Sequence, residues 1–247
     1  MCESVPRGAS SSRLAGPRGS HPRSFAALRM TVPTQPVIPL PLALDQHRAA
    51  LAECRRCAAE LPPGALPVLA EARAPRAMLV GQAPGPTEAT CRRPFQGRAG
   101  RTLFRWLAQA GLGEVEARAF FYIAAVTRCY PGPHPAGRGD RVPTAGERAR
   151  CAPWLEAELA IVRPPLIVTL GRLAADRFLP PAPLDVLVGG VRDVTVAGLG
   201  TRVLVLPHPS GASGWLNAPA HRALLDRGLG LLAAEVTRLQ RVEHAAA

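Results

Sequence analysis

Six cysteines are spread along the 247 residues, and four of them are grouped in a way that suits chemistry. Cys54 and Cys57 form a C-x2-C pair, Cys129 follows an apolar run, and Cys151 comes one helix-length segment later. Cys2 and Cys91 stand outside the pattern. The spacing 44–60 is helical, and two cysteines three apart on a helix project from one face, which suits chelation. Thiols grouped in this way in a cytosolic chain are metal ligands more often than disulfides. Four thiolates fit an iron–sulfur cluster or a structural zinc, and spacing does not choose between them. Buried inert thiols and a redox pair are the other readings the cysteines allow.

These residues need elements to position them. Apolar runs at 77–82, 120–126, 165–171 and 202–208 read as buried strands of a parallel sheet, because helix-like segments of crossover length separate them. Those segments are 98–111, 144–162 and 171–179, and a last helix at about 218–241 packs on the outside. Thr144 with Glu147 makes a capping-box start for the second of them. The expected fold is α/β: a three-layer α/β/α sandwich around a central, mainly parallel four-stranded sheet. Ligands in such sheets bind beyond the carboxyl ends of the strands. That rule selects three loops, "GQAPG" (81–85), "TRCYPG" (127–132) and "HPSGAS" (208–213), each directly after a strand.

With 47% hydrophobic residues the chain can bury one sizeable core. The net charge of +12 comes from arginine alone, since there is no lysine; residues 1–29 account for +4 and the remainder for +8. A polyanionic partner is compatible with that balance, as is a GC-rich genome. Residues 1–36, rich in Ser, Gly, Pro and Arg, are expected to be a disordered extension, with Met30 an alternative start and 37–247 the folded domain. "AELAIVRPPLIVTLG" is broken by Arg163 and two prolines, and no other segment has the apolar length to span a bilayer. A monomeric, cytoplasmic protein with no membrane partner is expected.

Taken together, "VGQAPGPTEATCRRPFQGRAG" (80–100), the four cysteines and "LPHPSGAS" (206–213) resemble the iron–sulfur uracil-DNA glycosylases of families 4 and 5. The resemblance covers roughly residues 45–235. It matches the first motif of family 4 without a gap at Gly81, Ala83, Pro84, Gly85, Glu88, Arg93, Pro94, Phe95, Gly97, Arg98, Ala99 and Gly100. It implies a [4Fe–4S] cluster on Cys54, Cys57, Cys129 and Cys151, structural in role and favoured over zinc. It also implies excision of a base flipped out of DNA into a pocket. Such a site must place a donor at the departing base and a water beneath the sugar. Backbone groups of Gln82 and Ala83 would meet the base edge, Phe95 would stack on it, and His208 would donate to the developing anion. Glu88, the one acid of the first loop, would orient the water. Arg93, Arg98, Arg101 and Ser210 would contact phosphates, with Gly211, Ala212 and Ser213 near the gap left by the flipped base.

Two departures from family 4 bear on specificity. Gln82 stands where that family has Glu, and Ala125 where it has the Asn that reads uracil, as in the "AAVRC" run of family 5. DNA containing uracil or another deaminated base, most plausibly hypoxanthine, is the expected substrate. Without lysine there is no ordinary Schiff-base nucleophile, so the activity should be monofunctional. The competing readings are a DNA-crosslinking or single-strand-binding relative, a non-catalytic DNA-binding module and, weaker still, a cluster-based redox protein without a dinucleotide fingerprint.

Overall fold

The computed structural model describes residues 38–137, 139–210 and 214–244. The expected N-terminal extension, and Gly211, Ala212 and Ser213, lie outside them. The elements follow in the order α1 (Leu40–Ala52), β1 (Ala77–Gly81), α2 (Pro86–Cys91), α3 (Arg98–Gln109), α4 (Glu114–Phe120), β2 (Phe121–Ala125), α5 (Ala145–Val162), β3 (Leu166–Leu170), α6 (Arg172–Ala175), α7 (Leu184–Leu187), β4 (Val191–Val196), β5 (Leu199–Leu206), a 3-10 turn (Trp215–Asn217) and α8 (Pro219–His244). The sheet order is β2-β1-β3-β5-β4, with β2, β1, β3 and β5 parallel and β4 antiparallel to β5.

Strands this short are apolar at nearly every position because both faces are covered. Ala77, Leu79, Phe121, Ile123, Leu166, Val168 and Leu204 point to one side and pack with α3, α4 and α8. Met78, Val80, Tyr122, Ala124, Ile167, Val203 and Val205 point to the other and pack with α1, α5 and α6. This two-residue alternation, with a separate apolar cluster on each face, makes the three layers.

The sheet has five strands rather than the four expected. The fifth, β4, forms a hairpin with β5 through Ala197 and Gly198, at φ +49° and +77°. Two successive left-handed residues are what a tight hairpin turn demands, but Ala-Gly is not one of its usual signatures. The first helix also differs: it stops at Ala52, and Cys54 and Cys57 lie in the turns that follow, with Cys54 N donating to Leu51 O and Glu60 N to Cys57 O. The pair is presented by turns ahead of Pro62, Pro63 and Gly64, not by a helix face. Thr144 caps α5 as expected, its side chain accepting from Glu147 N at 3.1 Å while Glu147 returns the bond to Thr144 N. Among the described residues no helix is long and apolar enough to cross a membrane.

Candidate active site

The carboxyl ends of β1, β2 and β5 open into one cleft of about 640 Å³. Its lining includes Gln82, Ala83, Glu88, Phe95, Arg98, Ala125, His208 and Ser210, so residues up to 128 positions apart in the chain meet at one place. Register explains part of this: Gly81 pairs with Ala125 at the ends of β1 and β2, and Val126 and Thr127 donate to the carbonyls of Gly81 and Gln82. The first loop and the second strand therefore enter the cleft side by side.

Phe95 reaches the cleft floor because Gly81 has no side chain. A methyl there would stand 3.3 Å from Phe95 Cζ, and one on Gly100 would stand 2.0 Å from Phe95 O. The ring packs against the apolar cluster that includes Ile123. Phe95 also lines the cleft.

His208 is half-buried just beyond β5, in space left by Gly171. Its Nδ1 lies 2.8 Å from Ser210 Oγ and accepts the Ser210 backbone N–H at 3.3 Å. An Nδ1 that accepts leaves the proton of the neutral ring on Nε2, so Ser210 sets the tautomer. Burial holds the imidazole below its ordinary pKa, which keeps it a neutral donor. Ser210 was expected on a phosphate; here its hydroxyl is turned onto the imidazole.

Glu88 does not stand free as a water-orienting acid would. It is 8% exposed, and its Oε1 accepts Gly97 N at 2.8 Å while Oε2 accepts Gly85 N at 3.1 Å. It ties the start of α2 to the start of α3, and both oxygens are used. The carboxylate that faces this loop from across the cleft is Asp140, which the sequence reading missed. A methyl on Gly85 would lie 3.4 Å from Asp140 Oδ2. Asp140 is brought there by a hairpin: Pro133 pairs with Asp140, His134 N donates to Gly139 O and Arg141 N to Gly132 O. Arg141 pins the hairpin to α5 through both oxygens of Glu147. Burial raises the Asp140 pKa, the Tyr130 hydroxyl bonded to it lowers it, and Glu88 raises it further.

Of the expected phosphate contacts, Arg98 lines the cleft, and it and Arg101 make no ion pair among the described residues. Both lie at the exposed start of α3, on a groove shared with Arg105. Arg93 instead pairs with Glu71 at 2.7 Å.

Cys54, Cys57, Cys129 and Cys151 line a second pocket, on the far side of Arg128, which borders both. The Trp154 indole N–H donates to Cys54 Sγ at 3.2 Å. Burial first, then the nearby Cys151, Cys54 and Cys57, push the Cys129 thiol up to about 12, and burial likewise raises Cys151. Thr127 Oγ1, Arg128 Nε and Arg150 Nε, all on residues of this pocket, are buried without a hydrogen-bond partner. Four thiols facing three unsatisfied polar atoms fit an anionic, thiolate-held group. Yet no three His, Cys, Asp or Glu among the described residues are arranged to hold a single metal ion. Beneath the pocket, the fully buried Glu158 accepts from Tyr122 and Arg128 and lies 3.2 Å from His47 Nε2, joining β2, α1 and α5.

A doubly covered, mainly parallel sheet with a cleft at its carboxyl ends and a four-cysteine pocket beside it defines a doubly wound α/β class of protein. Residues 69–227 match the Uracil DNA glycosylase superfamily, and the chain belongs to that family. It is 35% identical over 136 residues to the Type-4 uracil-DNA glycosylase of Thermotoga maritima, covering 55% of this chain and 65% of that protein. It is 33% identical over 138 residues to the Type-4 uracil-DNA glycosylase of Archaeoglobus fulgidus, covering 54% and 64%. A third relative of the same name, from Pyrobaculum aerophilum, is 28% identical over 159 residues. The match thus spans just under two thirds of the first two relatives' length.

Proposed function

We propose that this chain is a monofunctional DNA glycosylase that removes uracil, and through its open position at Ala125 also hypoxanthine, in base excision repair. The observation that carries this is the convergence of Gln82, Ala83, Phe95, Ala125 and His208 on one cleft. Relatives named as Type-4 uracil-DNA glycosylases support the chemistry.

In this reading the base leaves the stack, slides over Phe95 and presents its edge to the Gln82–Ala83 backbone. As the C1′–N bond breaks, its electron pair passes to the base, whose oxygen takes a hydrogen bond from His208 Nε2–H. A neutral donor already in place stabilises such an anion without reorganisation. Asp140 holds the attacking water and accepts its proton; Glu88 shapes the loop that faces it. Arg98 and Arg101 meet phosphates, joined by Arg93 once it exchanges Glu71 for the backbone. The 211–213 segment would complete the DNA contact.

Cys54, Cys57, Cys129 and Cys151 would hold a [4Fe–4S] cluster. Four thiols lining one pocket beside the buried, unpartnered Thr127 Oγ1 and Arg128 Nε suit such an anionic, thiolate-held group. When bound, it would brace the turns and the hairpin on either side of Arg128.

Purified protein incubated with labelled oligonucleotides bearing uracil, hypoxanthine, xanthine or a normal base, followed by alkali, tests this reading. Cleavage at uracil is expected, with borohydride trapping no adduct. Binding to all four without cleavage would leave a DNA-binding relative. Anaerobically purified protein should be brown, with about four irons per chain; a colourless protein holding one zinc would overturn the cluster.

A further inference from the structure

Phe95 sits in the left-handed region at φ +54°. A residue with a side chain stays there only when its surroundings hold it. The main holder is Arg118, in the last turn of α4. Its Nη1 donates to the Pro94 carbonyl at 3.0 Å and its Nη2 to the Phe95 carbonyl at 3.3 Å. The guanidinium is fixed in turn: Nε donates to Glu114 Oε1 at 2.9 Å, Glu71 Oε2 lies 3.9 Å from Nη1, and Cζ stands 4.5 Å over the Phe104 ring. Arg118 is 8% exposed and is not among the residues that line the cleft.

A buried charge surrounded largely by apolar side chains is costly unless its hydrogen bonds are used. Here Nη1 lands on the Pro94 carbonyl, and Nη2 is shared between the carbonyl of the strained Phe95 and Glu114 Oε1, 2.9 Å away. A planar fork does this where a lysine ammonium, a single point of charge, cannot. Gly100 completes the arrangement by leaving room for the Phe95 carbonyl.

We propose that Arg118 is a positioning residue for base recognition: from behind the cleft it holds the Pro94–Phe95 backbone so that the Phe95 ring presents its face to a flipped nucleobase. This rests on the reading of Phe95 as the stacking surface.

The test uses the full chain with 4-fluorophenylalanine at position 95 alone, in wild type, Arg118→Met, Arg118→Lys and Phe95→Ala (unlabelled) backgrounds. Met keeps the aliphatic contact with Phe104 and deletes the fork; thermal melting identifies a temperature at which each variant is folded. The fluorine resonance of Arg118→Met should shift or broaden. Its single-turnover excision of uracil should fall about 5- to 160-fold, the equivalent of one base–aromatic stack, with free uracil a correspondingly weaker inhibitor. The double variant Arg118→Met/Phe95→Ala should be no slower than Phe95→Ala, because both changes remove the same contact. Arg118→Lys should recover part of the loss. An unchanged resonance in folded Arg118→Met, or losses that multiply in the double variant, would overturn the proposal. A moved resonance in a protein that excises no base would uphold Arg118 as the holder of Phe95 while sinking the glycosylase reading.

Discussion

Glu88 separates two accounts of the first loop, and its replacement tells them apart. The carboxylate is 8% exposed and accepts one backbone N–H from Gly85 and one from Gly97. Hydrogen bonds to a charged group contribute about 1.5–3 kcal/mol each. Glu88→Ala leaves both N–H groups without that acceptor and should therefore cost about 3–6 kcal/mol. For a domain of about 200 residues, each kcal/mol lowers Tm by roughly 2–4 °C, so the expected fall is roughly 6–24 °C. Glu88→Gln keeps one oxygen and turns an amide N–H₂ toward the other donor, so it should lie between Ala and wild type. Excision below the new Tm should fall by tenfold at most, through loosening of the loop. Thermal denaturation and single-turnover kinetics on the same preparations give both numbers. If Glu88→Gln melts within about 1 °C of wild type and loses more than a hundredfold in rate, Glu88 is the water-orienting acid after all and the clasp is incidental.

His208→Ala should lower the single-turnover rate by about 10²–10³ with DNA binding little changed; Ser210→Ala, which removes the hydroxyl but keeps the backbone N–H on Nδ1, should cost less than about tenfold, and a silent His208→Ala would mean another group meets the leaving base. Asp140 must be ionised to accept a proton, and burial together with Glu88 holds its pKa above the ordinary carboxylate range. The excision rate should therefore rise with pH through that raised value and be lost below it. Asp140→Asn should remove this acid limb along with about a hundredfold or more of rate, and an unchanged pH profile would assign the limb elsewhere. Ala125→Asn should sharpen preference for uracil over hypoxanthine in single-turnover assays, because an amide leaves donors and acceptors unpaired against the wrong edge; strict uracil specificity in the wild type would show that the gap at position 125 is already filled.

The layers were legible because short apolar runs are separated by helix-like segments of crossover length, and the loops because each follows a strand. Composition and local motif reach no further than local structure. The β4 hairpin turns on left-handed Ala197, whose type gives no hint of its conformation. Cys54 and Cys57 kept a helical spacing while the helix stopped at Ala52, ten residues before the first proline that could have marked its end. Glu88 was recognisable as an acid in the right loop, but its two backbone partners depend on how α2 and α3 begin. Asp140 lies fifteen residues beyond the end of β2 and returns to the cleft only because the 132–141 hairpin folds back. The glycines at 137 and 139, just before it in the sequence, were the signal available. Arg118 carries no motif at all; its meaning lies in two carbonyls more than twenty positions away.

The cleft is shaped as much by missing methyl groups as by side chains, and this ranks its positions for laboratory evolution. Gly100 admits no other residue, since a methyl would overlap the Phe95 carbonyl at 2.0 Å. Gly171 is nearly as closed, with φ +82° and His208 Cβ 3.3 Å from where its own would stand. Gly81 is different: at 3.3 Å from Phe95 Cζ, an alanine would nudge the aromatic ring by a few tenths of an ångström instead of expelling it. Libraries aimed at new bases should therefore freeze positions 100 and 171, vary 82, 83 and 125 freely, and treat Gly81→Ala as a fine adjustment of pocket depth.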